Sequence, residues 1–149
     1  MGKITRTNFG CSKILLFNNA AIKALADTPV TLLAAITGKV ILPHIVCYTL
    51  TPWVADYTNI DVTANVEVNI NSVFTPPTLT GAGLLAQGHA NIIWQNLGRD
   101  YDGTPYNYNN LVSQPLTLEI TNGGAGAFTG GDATTILTVQ VFYEVIKAV

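Results

Sequence analysis

From Ile136 to Ile146 the chain alternates, with Leu137, Val139, Val141, Tyr143 and Val145 standing between Ile136, Thr138, Gln140, Phe142 and Glu144. A period of two is that of an extended strand, and it predicts the first set on one face, turned into a core. The second set mixes Thr138, Gln140 and Glu144 with Ile136 and Phe142, so this face is expected to be partly covered, by another element or another subunit. Such a strand needs neighbours on both edges and a sheet to pack upon. The rest of the chain supplies candidates. Leu116 to Ile120 precedes it, joined by a glycine-rich turn region from Thr121 to Thr135. Val62, Ala64, Val66, Val68 and Ile70 alternate with Asp61, Thr63, Asn65, Glu67, Asn69 and Asn71, which predicts one buried face and one polar face. Val30 to Ala35 and Val40 to Leu50 read as two strands joined by a turn at Thr37, Gly38 and Lys39. The second of these is nearly continuous in apolar residues and is placed mid-sheet, with a bulge or an edge segment at Pro43. His89 to Gln95 reads as a further short strand with Ala90, Ile92 and Trp94 on one face.

Helical signals are few. Ala20 to Ala26 holds good helix formers, but Asp27, Thr28 and Pro29 stop it after about two turns. Thr75 to Gly83, with Pro76, Pro77, Gly81 and Gly83, breaks the strand pattern, and Gly98 to Asn110 is a polar loop. Met1 to Asn19 shows no clean period beyond a short strand at Ile14 to Phe17, so residues 1–19 are set apart as an N-terminal arm or first strand, and 20–149 as one β domain. About seven or eight short strands with regular turn signals predict an all-β, single-domain antiparallel sandwich with one short helical turn near its start, and the jelly roll is its eight-stranded form.

Composition sharpens this. The 149 residues suffice for one domain burying roughly two thirds of the surface of its unfolded chain. Charged residues make up 11% against 48% hydrophobic, where about 25% charged is usual, so part of the surface is expected to be subunit interface. A formal charge of −2 without a basic run excludes electrostatic capture of nucleic acid. The most apolar window, Val30 to Leu50, is interrupted by Gly38, Lys39, Pro43 and His44, short of the roughly 18 apolar residues a spanning helix needs, so no membrane partner is expected. Ile14 to Phe17 is too brief for the core of a signal peptide. Cys11 and Cys47 could form a disulfide or remain two thiols; the missing secretory signal favours thiols.

Candidate chemistry is tested residue by residue. Asp100, Asp102 and Gly103 open like a calcium loop, but the twelfth position is Leu111 where a bidentate carboxylate belongs, so a polar turn is the better reading. His44 and His89 sit in separate strands without a ligand at metal spacing. Ser12, Ser72 and Ser113 lie in no nucleophile motif. Gly123, Gly124, Gly126, Gly130 and Gly131 are followed by a strand, not the helix N-terminus a phosphate cradle needs, so they are read as turn glycines or as sites of close subunit contact. No catalytic residue, cofactor or metal site is therefore assigned. Tyr101, Tyr106 and Tyr108, with Trp53 and Trp94 in reach, form the one candidate binding set, since aromatic faces can stack on a sugar ring or a partner protein.

Four stretches carry a resemblance. They are Ala21 to Ala35 (AIKALADTPVTLLAA), Gly38 to Leu50, Asn109 to Ile120 (NNLVSQPLTLEI) and Gly130 to Ile146 (GGDATTILTVQVFYEVI). Together they resemble small structural proteins of tailed bacteriophages, in which an "I-K-A-L" turn leads to "T-P-V-x-L", a "G-K" turn opens the next strand, and the end reads "N-x-P-L-x-L", "G-G-D-x-T" and "V-x-Y-x-V-I". Gln114 stands here where that pattern has Asn before Pro115. The resemblance implies a non-enzymatic jelly-roll subunit on the outside of a virion, as capsid decoration or fibre base, or else on the tail as a receptor- or glycan-binding module. It also implies a homotrimer in contact with the major capsid protein or other virion proteins. These motifs are structural, not catalytic.

Overall fold

In a computed structural model, which describes residues 10–70, 79–88, 91–96 and 110–147, the alternating C-terminal run is the central strand of a sheet. In chain order the elements are β1 (Cys11–Asn18), α1 (Asn19–Lys23), β2 (Val30–Leu33), β3 (Lys39–Thr51), β4 (Tyr57–Thr58), β5 (Asn65–Ile70), β6 (Leu79–Thr80), α2 (Gly81–Leu85), β7 (Asn91–Asn96), β8 (Leu116–Thr121), β9 (Thr129–Gly130) and β10 (Ile136–Lys147). Two four-stranded sheets, in the orders β1-β10-β3-β7 and β2-β8-β5-β6, pack as an antiparallel sandwich, with β4 and β9 as a small separate ribbon. The predicted β-sandwich is thus what forms. The pairings nest: β1 with β10, β2 with β8, β3 with β7 and β5 with β6, all antiparallel.

The core lies where the alternation puts it. Phe17, Val46, Tyr48, Leu50, Leu137, Val139 and Val141 from the first sheet meet Leu32, Val66, Val68, Ile70, Leu116, Leu118 and Ile120 from the second. Ile22 and Leu25 at α1, Leu84 and Leu85 at α2, and the rings of Tyr57 and Phe128 join the same cluster. At roughly 1.5–3 kcal/mol for each fully buried aliphatic or aromatic side chain, this cluster is the main source of stability. Inside it, the Tyr48 hydroxyl donates to Gln95 Oε1 at 2.7 Å, which pairs two of the polar atoms that β3 and β7 bring indoors.

Several expectations shift in detail. α1 is shorter than the Ala20–Ala26 run and starts one residue earlier, because the Asn18 side chain accepts from the Ala21 amide and caps it. Val62 was grouped with the buried face yet is 97% exposed. Asp61 accepts from both the amide and the hydroxyl of Thr63, and this Asx turn holds Val62 out of the strand until Ala64. Ile92 also faces out, at 63% exposure, while Gln95 is buried on the opposite face of β7. Val145 is 38% exposed at the far end of β10, past the last residue that β1 pairs. The bulge expected at Pro43 is present: Ile45 pairs with Phe142 and Pro43 with Tyr143, so His44 is the extra residue. Among the described residues β7 pairs with Ile45 to Leu50 and makes no ladder pair with Pro43. β6 and α2 fall within the stretch read as a pattern break. Thr80 caps α2 by accepting from the Gly83 amide, and Gly81 suits the close packing there, since a Cβ would sit 3.0 Å from the Ala64 methyl.

Candidate interaction surface

Alternation that buries one side of each strand also fixes what the other side shows. On the outward face of the first sheet, Leu16 of β1, Thr138 of β10, Thr49 of β3 and Ile92 of β7 share one register row. The next rows place Ile14 beside Gln140 and Cys47, then Ser12 beside Phe142 and Ile45. None of these residues is charged. Leu16 and Ile14 are 69% and 58% exposed, and Phe142 and Ile45 are half-buried. Further along the same face, past the bulge, the Glu144 carboxylate lies 3.6 Å from His44 Nε2.

The second sheet presents the reverse. Its outward rows pair Asn65 with Thr121, Glu67 with Glu119 and Asn69 with Thr117, all polar. Glu67 and Glu119 stand directly opposite, an unfavourable like-charge pair. Partial burial, and then the nearby charges of Glu67 and Asp27, push the Glu119 carboxyl above the ordinary glutamate value. Asn69 Nδ2 donates to Glu67 Oε2 at 3.1 Å, which steadies one of the two.

Between the faces, the loops at one end are tied by a buried amide. Asn122 is fully buried; its Nδ2 donates to the carbonyls of Asn59 and Gly126, its Oδ1 accepts from the Asp61 amide, and its own amide donates to Asp27. At the other turn, Asp132 accepts from the amide and the hydroxyl of Thr134, which holds its carboxyl below the usual range. Gly131 has φ +65° and lies against the Tyr57 ring, where an added Cβ would be 2.5 Å from ring carbons. The glycine-rich region is therefore built of left-handed turns.

Tyr101, Tyr106, Tyr108, Asp100, Asp102, Gly103, His89 and Ser72 lie outside the described residues. Trp53 donates its indole N–H to Asp56 Oδ1 within its own loop, and Trp94 lies in β7 opposite Cys47. Ser113, at φ 59°, accepts from the Gly38 amide and braces the turn before β3. Cys11 and Cys47 are both free thiols, the first exposed and the second buried, and burial raises the Cys47 thiol. Residues 1–19 divide: Cys11–Asn18 form β1 along the full length of its pairing with β10, while residues 1–9 lie outside the described residues. Among the described residues no group of three His, Cys, Asp or Glu could hold a metal ion, and no helix is long and apolar enough to cross a membrane. What the sequence reading left out is the contrast between the two outer faces. The signal was available, since Ile14 and Leu16 share the strand parity of Ser12, opposite to Leu15 and Phe17.

No family model, curated protein or solved structure matches the chain.

Proposed function

We propose that the protein is a non-enzymatic structural subunit of a virion, an oligomeric jelly roll carried on the outside of a tailed-phage particle as capsid decoration or fibre base. Two features support the jelly-roll reading. The nested pairs β1–β10, β2–β8, β3–β7 and β5–β6 are those of one long hairpin, and the sheet orders β1-β10-β3-β7 and β2-β8-β5-β6 are what results when that hairpin is rolled on itself. The assembly role is carried by a single observation: on the outward face of the first sheet, the rows from Leu16 to Ser12 have exposed Ile14, Leu16 and Ile92 and no charged side chain. Such a face stabilises itself by being covered, and a subunit whose affinity is spent on neighbours gains stability only in the assembled state.

The virion assignment rests on the motif resemblance, and the motifs have coherent structural work here. The "G-K" turn at Gly38 and Lys39 opens β3, "P-L-x-L" leads into β8, and "G-G-D-x-T" forms the turn before β10. Trimeric assembly and contact with the major capsid protein follow from the same resemblance. The deciding experiment is the copy number of the protein in purified particles, by quantitative mass spectrometry against the major capsid protein. A near-stoichiometric ratio is expected for a shell decoration; a few copies per hundred capsid subunits, an order-of-magnitude figure for vertex or tail positions, assigns a fibre or tail role. Absence from particles overturns the reading.

A further inference from the structure

We propose that β1 is a docking edge for a second copy of this chain, with two β1 strands pairing antiparallel about a two-fold axis at Leu15. The inference stands on the geometry of the edge alone, so it holds or fails independently of the virion reading. Among the described residues the sandwich has four sheet edges, and they differ in how they are protected. β6 offers two residues and β2 four, the latter with a register shift between Thr31 and Leu33, so both are blunted in the ways that stop edge-to-edge pairing. β7 offers six. β1 offers eight, Cys11–Asn18, in unbroken register with β10, without proline and without a bulge. Among the described residues its other side pairs with nothing. Its outward side chains Leu16 and Ile14 are the opposite of protective.

The sequence of β1 is complementary to itself. With Leu15 on the axis, positions that sum to 30 face each other: Ile14 meets Leu16 of the second copy, Ser12 meets its Asn18, and Lys13 meets its Phe17. Both exposed apolar residues then lie in direct cross-strand pairs, the arrangement that stabilises an antiparallel ladder. Lys13 is the one charge on the strand. The two copies of Lys13 stand about 13 Å apart along the strand direction, beyond the screening length at physiological salt. The joined sheets run β7-β3-β10-β1 into β1-β10-β3-β7, which makes the two outward faces continuous. An isologous contact of this kind closes after two copies, so a three-fold ring would use another surface.

The test is sedimentation of the full chain at about 100 µM, well above the range of a weak specific contact. The unaltered protein is expected to sediment as two copies. The double variant Ile14→Lys/Leu16→Lys sets lysine against lysine twice across the axis and is expected to weaken association at least tenfold. The double variant Ile14→Lys/Leu16→Glu sets lysine against glutamate in the same register and is expected to restore it. Both variants alter the same exposed positions, so a loss of fold would affect them alike and is read independently by circular dichroism. A monomeric unaltered protein, an oligomer indifferent to the paired lysines, or two folded variants that dissociate equally would each overturn the proposal.

Discussion

A single buried amide does the work at one end of the sandwich. Asn122 reaches the Asn59 and Gly126 carbonyls and the Asp61 amide, and so ties together groups from two separated loops. Asn122→Ala leaves these groups without that partner, at about 1–3 kcal/mol for each group that finds no other, so urea unfolding should show a loss of at least about 2 kcal/mol. Asn122→Asp keeps the acceptor for Asp61 and loses the donors, and is expected to unfold at lower urea than the parent as well. Gly131→Ala acts through sterics: the new methyl meets the Tyr57 ring at a backbone angle that disfavours any side chain, and a loss of about 2–3 kcal/mol is expected in the same assay. The acid pair across β5 and β8 has the opposite sign. The folded state holds the Glu119 proton more tightly than the unfolded chain does, so the ionised carboxylate costs stability above the raised value, and the cost is relieved as pH falls through it. Glu119→Gln should therefore stabilise at pH 7 by a fraction of about 1 kcal/mol, and the gain should vanish below about pH 4. Asp61 and Asp132 run the other way: bonds from Thr63 and Thr134 lower their carboxyls, so their contribution is present above the ordinary aspartate range and lost as pH falls below it. A mutant whose advantage persists at pH 4 would contradict this assignment of Glu119.

At the scale of elements, periodicity carries most of the information, and its failures have local causes. The run from Leu137 to Val141 was legible because the strand is half-buried along its length, so every second residue reports the core. The run beginning at Val62 misled because alternation cannot distinguish a strand from a turn whose side chains alternate by chance; Asp61 decides it by offering its carboxylate to Thr63. The inward face of β7 was not assigned from sequence. There Ile93 packs against the core beside Gln95, which the Tyr48 hydroxyl supplies with a partner, a contact forty-seven residues away in sequence, while Ile92 faces out. β6 and α2 escaped notice because their two and five residues are too short for any period to show. The same contrast gives a test. Leu118→Ala opens a cavity at the centre of β8 and should cost about 2–5 kcal/mol, whereas Val62→Ala should change stability by less than about 0.5 kcal/mol. Equal losses would place Val62 in the core after all. Of the candidate surface, the exposed apolar positions of β1 were legible as a strand but not as an edge. Edge status depends on which strands pair, and the nested pairing brings the first and last strands together across the whole chain.

The whole molecule is asymmetric in a way no single strand reveals. Both sheets contribute to the core, yet one turns Leu16, Ile14 and Ile92 outward and the other turns Glu67 and Glu119 outward. The uncharged rows around Ile14 and Leu16 are where association costs least in desolvation. Thiol reactivity offers a measurement of that side in the assembled state. Cys11 is exposed at the start of β1, on the edge proposed to meet a second copy, and Cys47 sits under the outward face of β3, buried with its thiol raised by burial. In dilute protein, Cys11 should react with a maleimide at the rate of a free thiol, while Cys47 should react slowly, since both access and thiolate fraction are reduced. On raising concentration into the associated range, Cys11 labelling should slow, because pairing at Ser12 to Asn18 brings the second chain's α1 alongside it. Cys47 should be little changed if the edge alone is used, and should slow further if the whole outward face is covered. Labelling of Cys11 that stays constant across a range in which the sedimenting mass doubles would show that association uses a surface remote from β1. Because labelling and mass are read on the same samples, the two outcomes separate the edge from every other contact surface of the sandwich.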